Sequence, residues 1–171
     1  ISFLKNKYFM KKCIIYIGSP KTGTTSIQYW LNQNSNKLLS KGILYPRSLG
    51  FPASFLFGMR YILDSDRLIF QRYGCFNERD RLDFSDYVLD RLSNEIKLIE
   101  HELLIISCEE LWDIENKNIL EKIKKDLNNL GYESICIVIY LRNQLDLIRS
   151  SFKTWVLAGI LIDKIPSPNA E

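Results

Sequence analysis

A chain of 171 residues, 46% apolar and 25% charged, has the size and composition of one globular domain with its own core. Its 23 Lys and Arg against 20 Asp and Glu leave a formal charge of +3, too small to single out nucleic acid as a partner. Four cysteines without a CxxC pair and a single histidine argue against a zinc site or a disulfide framework, so no metal is expected and a reducing, cytoplasmic setting fits best.

The first stretch, ISFLKNKYFMKK, lacks the apolar core of a signal peptide. Residues 1–11 read as a disordered leader, with Met10 as a natural start, and no apolar run approaches the ~20 residues of a membrane span. Residues 13–17, CIIYI, form a short β-branched run that predicts a buried strand. Residues 18–23, GSPKTG, predict a tight loop with a glycine at each end and Pro20 fixing one φ angle. From Thr24 the pattern turns helical through residue 34. Thr24, Thr25 and Ser26 are able to cap, and Ile27, Trp30 and Leu31 fall on one face.

Strand, glycine-bounded loop and helix start together make an anion cradle. The first amides of a helix have no intrahelical acceptor, and the helix dipole favours a negative charge there. Lys21 adds a full positive charge, and Thr22, Thr24, Thr25 and Ser26 add hydroxyl donors. The spacing departs from the nucleotide-triphosphate loop GxxxxGK[ST]: Lys21 precedes Gly23 by two residues, and Thr24 stands where that loop has its lysine.

Residues 35–40 predict a second short helix ending at Gly42, and ILYP (43–46) a brief extended segment. Between Arg47 and Arg91 seven arginines are matched by seven acids, a balance that predicts a solvated, salt-bridged surface. Residues 83–102 form an amphipathic helix, with Phe84, Val88, Leu92, Ile96 and Ile99 on one stripe. His101, near its end, reads as a capping or solvent-facing residue, with a catalytic role held in reserve. A second buried strand, LLIIS (103–107), runs into Cys108, Glu109 and Glu110. A helix over 115–130, a third buried strand ICIVIYL (135–141) and a last helix over 144–157 complete the pattern. Three of the four cysteines lie in apolar strand-like runs, as small hydrophobes.

Apolar strands alternating with helices predict an α/β fold with a parallel sheet covered on both faces. Ligands of such sheets bind at the carboxyl ends of the strands. The tips SPKTGTT, SCEE and RNQ should therefore meet. Arg142 at a strand tip and Ser150 on the following helix are both able to reach one phosphate.

PKTGTTS after an apolar strand resembles the 5′-phosphosulfate loop of sulfotransferases that use 3′-phosphoadenosine 5′-phosphosulfate (PAPS). GTTSIQ, a helix and then GILYP is a run common in bacterial members. RNQLDLIRS resembles their 3′-phosphate motif, an arginine after a strand with a serine eight residues on, with Gln144 where many members have proline. The resemblance implies a three-layer α/β/α domain over residues 1–171, of P-loop NTPase-like architecture, with 47–83 as an acceptor-side insertion. The family's later cofactor-closing loop has no counterpart after Leu157, so the C-terminal part of the family domain is expected to be missing.

By the same resemblance the chain would move a sulfuryl group from PAPS to a hydroxyl or amine of a small molecule or saccharide, without a metal. Lys21 would take up charge on the bridging oxygen. Thr22, Gly23, Thr24, Thr25 and Ser26 would hold the 5′-phosphate, and Arg142 and Ser150 the 3′-phosphate. Glu109 would serve as base. The alternatives are a P-loop kinase of a nucleotide or small molecule, and a truncated, non-catalytic remnant of the family.

Overall fold

The computed structural model of the chain describes residues 10–19, 21–62, 68–112, 114 and 116–159. Four strands form one sheet: β1 (Lys11–Gly18), β2 (Ile43–Leu44), β3 (Leu103–Ser107) and β4 (Tyr132–Tyr140). Their order is β2-β3-β1-β4, and every pairing is parallel, with Ile15 between Ile106 and Ile137. The continuous apolar runs of β1 and β3 are what a parallel sheet requires, and the chain is an α/β protein. Lys11 already belongs to β1. The rest of the expected leader up to residue 9, and the segment 160–171, lie outside the described residues.

Helices α1 (Thr24–Gln33) and α2 (Ser35–Leu39) connect β1 to β2. Helices α3 (Phe55–Tyr61), α4 (Leu68–Gln71) and α5 (Glu78–Leu98) lead to β3. A 3-10 turn (Glu109–Leu111) and α6 (Lys117–Asn129) lead to β4, and α7 (Gln144–Leu157) follows it. Among the described residues, no helix is long and apolar enough to cross a membrane.

The pleat sets Cys13, Ile15 and Ile17 on one face of β1, beside their partners Leu104 and Ile106 on β3. These join Val88, Leu92 and Ile96 of α5 and Ile123 and Leu127 of α6 in one buried cluster. Each such side chain contributes roughly 1.5–3 kcal/mol on burial. The α5 stripe is the predicted one, but the helix starts earlier. The Asp80 amide donates to the Asn77 side chain at 2.9 Å, and the Phe76 amide to the Asp80 carboxylate at 2.9 Å. That reciprocal cap is written in the sequence as Asn77 followed by Asp80.

The expected cover on both faces is uneven: on β1 and β3 one face is buried while Ile14, Leu103 and Ile105 on the other are half-buried, and β4 is more open still. Ile137 and Ile139 are 46% and 48% exposed, Cys136 is exposed, and α7 has no buried residue. The physical reason is position. β4 is an edge strand, and among the described residues nothing pairs with its outer side.

The expected solvated surface over 47–83 is overturned at α3, where Leu56, Phe57, Met59, Arg60 and Tyr61 are all buried. Arg60 donates from Nε and Nη2 to Asp126 Oδ2 at 3.1 and 3.0 Å, and from Nη1 to the Ser85 hydroxyl at 2.8 Å and to the Ser85 carbonyl. The Tyr61 hydroxyl donates to the same Asp126 oxygen at 2.9 Å. This network ties α3 to α5 and α6. Burial opposes the guanidinium charge, but Asp126 outweighs it and holds Arg60 above its ordinary pKa. Burial and then Asp126 push the Tyr61 phenol up. Arg67, Asp64 and Asp66 lie outside the described residues.

His101 is also buried, in the turn between α5 and β3. Its Nδ1 lies 2.7 Å from the Ile99 carbonyl and its Nε2 2.5 Å from the Tyr132 hydroxyl. A carbonyl only accepts, so Nδ1 carries the proton and Nε2 accepts from Tyr132. This is the amino end of the sheet, where β3 and β4 begin. His101 is neither a solvent-facing cap nor a reserve base, because the strand tips lie at the other end.

Three outcomes follow for stability. Asp126→Ala leaves the buried Arg60 without its buried carboxylate partner, and should lower unfolding stability in urea by about 3–5 kcal/mol. Asp86→Ala, which removes an exposed carboxylate 3.5 Å from Arg60, should change it by less than about 1 kcal/mol. Burial above all lowers the His101 pKa from 6.5, with Lys11 adding to this and the Ile99 carbonyl and Glu95 opposing it. The unfolded state then binds the proton more readily. Stability should fall as pH drops below about 6.5, and urea midpoints of His101→Gln should lose part of that dependence.

Candidate anion-binding site

The site begins with a close approach. A Cβ on Gly18, the last residue of β1, would overlap the Thr24 methyl, so only glycine lets the first turn of α1 sit on the strand tip. Between them the chain closes a tight turn, with the Thr22 amide and hydroxyl donating to the Ser19 carbonyl at 3.3 and 2.6 Å. Lys21 (φ 67°) and Gly23 (φ 85°) are left-handed. For lysine that conformation costs roughly 1–2 kcal/mol, and such strain gathers at ligand loops. A left-handed residue in a turn just before a helix start is a feature of backbone anion sites. Pro20 lies outside the described residues.

Helix α1 differs in detail from expectation. Gly23 is its N-cap, with no side-chain cap bond. The Ser26 and Ile27 amides donate to the Gly23 carbonyl at 3.1 and 3.3 Å, which leaves the amides ahead of them without intrahelical acceptors. The buried face is Thr24, Gln28 and Leu31, while Trp30 is exposed. Thr25 and Ser26 face solvent. Thr24 turns inward because the closeness at Gly18 points it across the sheet.

There the Thr24 hydroxyl donates to Glu109 Oε1. Glu109, half-buried, opens the 3-10 turn after β3. The Cys108 amide, donating to the Tyr16 carbonyl at 3.0 Å, holds that segment beside β1. On the other side Gly18 stands opposite Tyr140, and Arg142 Nη1 donates to the Lys21 carbonyl at 2.7 Å. Lys21, Thr22, Gly23, Tyr140, Leu141 and Arg142 line an open pocket of about 490 Å³. The Asn143 side chain accepts from the Leu145 amide at 3.0 Å and starts α7 at the same rim.

The three strand tips therefore meet, and Lys21, Thr22, Gly23, Thr24, Glu109 and Arg142 are brought together. Ser150 is half-buried on α7 and is not among the residues lining the pocket. Among the described residues, no carboxylate pairs with Lys21, and no cluster of His, Cys, Asp or Glu is able to hold a metal. Tyr16 falls within the run 13–17 that reads as a buried strand. It is buried, but its hydroxyl has no hydrogen-bond partner. The signal was a tyrosine two residues before the strand-tip glycine, where the pleat returns it to the face that Gly18 shares with Thr24.

Gly18→Ala should force Thr24 off the strand tip. A stability loss of about 1–3 kcal/mol by urea unfolding is expected, the ordinary cost of overpacking, together with loss of any phosphate-induced rise in melting temperature. No protein-family model, no curated protein and no solved structure matches this chain.

Proposed function

We propose that the chain is a PAPS-dependent sulfotransferase with a three-layer, P-loop-like α/β/α architecture, acting in the cytoplasm on a hydroxyl or amine of a small molecule, with a saccharide the favoured acceptor. The observation that carries the reading is the meeting of Arg142 with the Lys21 carbonyl across 121 residues of sequence. Two cationic groups, each at its own strand tip and beside its own helix start, open on one pocket. A nucleotide with a phosphate at each end of its ribose asks for such a pair of sites. A single phosphate track does not.

PAPS, when bound, supplies the sulfuryl group. The chain's part is electrostatic and geometric. The loop amides and the solvent-facing hydroxyls of Thr25 and Ser26 would hold the 5′-phosphate, joined by those of Thr22 and Thr24 once they turn from Ser19 and Glu109, and Lys21 would take up the negative charge that develops on transfer. Arg142 keeps guanidinium N–H groups beyond the one given to Lys21, and offers them with Ser150 to the 3′-phosphate. Glu109 accepts the proton of the attacking hydroxyl. It must first release the Thr24 hydroxyl or use its second oxygen.

One observation favours a second reading. A threonine hydroxyl bonded to a carboxylate beside a phosphate loop is the pair that magnesium-nucleotide enzymes use to seat their cation. Calorimetry with adenosine 3′,5′-bisphosphate, with and without magnesium, separates the two. The sulfotransferase reading expects binding that does not depend on the metal, weakened by about 1.5–3 kcal/mol in Arg142→Ala, and transfer abolished in Lys21→Ala. Magnesium-dependent turnover of ATP, with no affinity for the bisphosphate, would replace it with a kinase.

A further inference from the structure

A buried polar group without a partner costs about 1–3 kcal/mol, and each one in a folded chain calls for a reason. Tyr16 is the case closest to the loop. It is 5% exposed, and its hydroxyl has no hydrogen-bond partner. That hydroxyl lies 3.3 Å from the place a Cβ on Gly18 would occupy, the same place the Thr24 methyl crowds. The phenol oxygen therefore sits under the loop, at the height of the strand tip, with Thr24 and the Glu109 carboxylate that Thr24 holds.

The Thr22 side chain lies close enough to oppose the rise in the phenol's pKa, yet forms no hydrogen bond of ordinary length with it. The Thr22 hydroxyl gives its proton to the Ser19 carbonyl. The Tyr16 ring meets Tyr140 edge-on at 5.2 Å, and Tyr140 lines the pocket with Lys21 and Arg142. Burial raises the phenol's pKa, with Thr22 opposing this and Tyr140 and Glu109 adding to it, so the O–H keeps its proton. A protonated phenol beneath the loop, the first amides of α1 without intrahelical acceptors and two cations on the pocket's rim share one complement, an anion rich in acceptor oxygens.

We propose that the Tyr16 hydroxyl is a ligand of the anion this loop takes, donating from the sheet side to a tetrahedral oxyanion, phosphate or sulfate, whose other oxygens face the loop amides and Lys21. This rests on the anion-cradle part of the proposed function and adds the residue that fixes how deep the oxyanion sits.

The test is Tyr16→Phe, which keeps the ring and its contact with Tyr140 and removes only the O–H. The 171-residue chain and its variant are melted in chloride and titrated with inorganic phosphate and with sulfate at constant ionic strength. The variant should melt at a higher temperature in chloride, because the unsatisfied hydroxyl is gone, and should bind both oxyanions about tenfold more weakly. Equal oxyanion affinity in the two proteins overturns the assignment, as does a wild type that phosphate and sulfate do not stabilise. A lower melting temperature with unchanged affinity also overturns it, and identifies a buried water as the phenol's partner. Adenosine 3′,5′-bisphosphate is titrated in parallel. If it binds no better than phosphate while Tyr16→Phe still weakens phosphate tenfold, the sulfotransferase reading falls and the Tyr16 assignment stands.

Discussion

The missing Cβ at Gly18 is the constraint on which the rest depends. A helix that follows a strand directly must start somewhere above the strand tip. Here it starts in contact, because the tip carries no side chain. Contact directs the Thr24 hydroxyl to Glu109 and draws the loop tight enough for two left-handed residues. It also leaves the Lys21 carbonyl within reach of Arg142. Three chain segments are joined by hydrogen bonds that would lengthen past usefulness if α1 stood one methyl group farther off.

The strand order explains why those segments are available. With the sequence β2-β3-β1-β4, the chain leaves β1 toward one edge of the sheet and leaves β3 toward the other. Right-handed crossovers in opposite directions run on opposite faces, so the carboxyl ends of β1 and β3 part and leave a crevice, the usual ligand site of such sheets. The bond from Thr24 to Glu109 spans that crevice. Arg142 approaches from the third tip, on the far side of β1. The rim is a consequence of topology, and the residues placed on it are a consequence of sequence.

What was legible in the sequence was what local pattern controls. The β3 run LLIIS, the α5 stripe from Val88 to Ile96 and the bounds of α7 depend on period and on the nearest residues, and they stand as read. What was not legible depended on partners far along the chain. Counting arginines against acids could not show that Arg60 goes inside, because its carboxylate, Asp126, is 66 residues away on another helix. His101 is explained by Tyr132, 31 residues on. The run ICIVIYL showed that β4 is a strand but not that it is an edge, since burial depends on neighbours and the residues show only propensity. Types and spacing put Lys21, Glu109 and Arg142 at strand tips, and the structure brings those tips to one rim. Tyr16 was hidden because a tyrosine in an apolar strand looks the same whether or not its hydroxyl is satisfied.

The two ends of the sheet treat buried polar groups differently. At the amino end, His101 is bonded at both ring nitrogens. Away from the rim, the buried Arg60 charge meets Asp126 and Ser85 from three nitrogens. At the carboxyl end a lysine holds a left-handed backbone, a phenol buries an unused donor and the first amides of α1 face an opening. A sequence shaped only for stability would have put phenylalanine at position 16 and glycine at position 21, removing an unsatisfied group and a strained angle together. Lys21 lines the pocket and Tyr16 is buried beneath the same loop, beside cations from two separate motifs. On the proposed reading, the energy that the chain forgoes at these two residues is recovered when acceptor oxygens arrive.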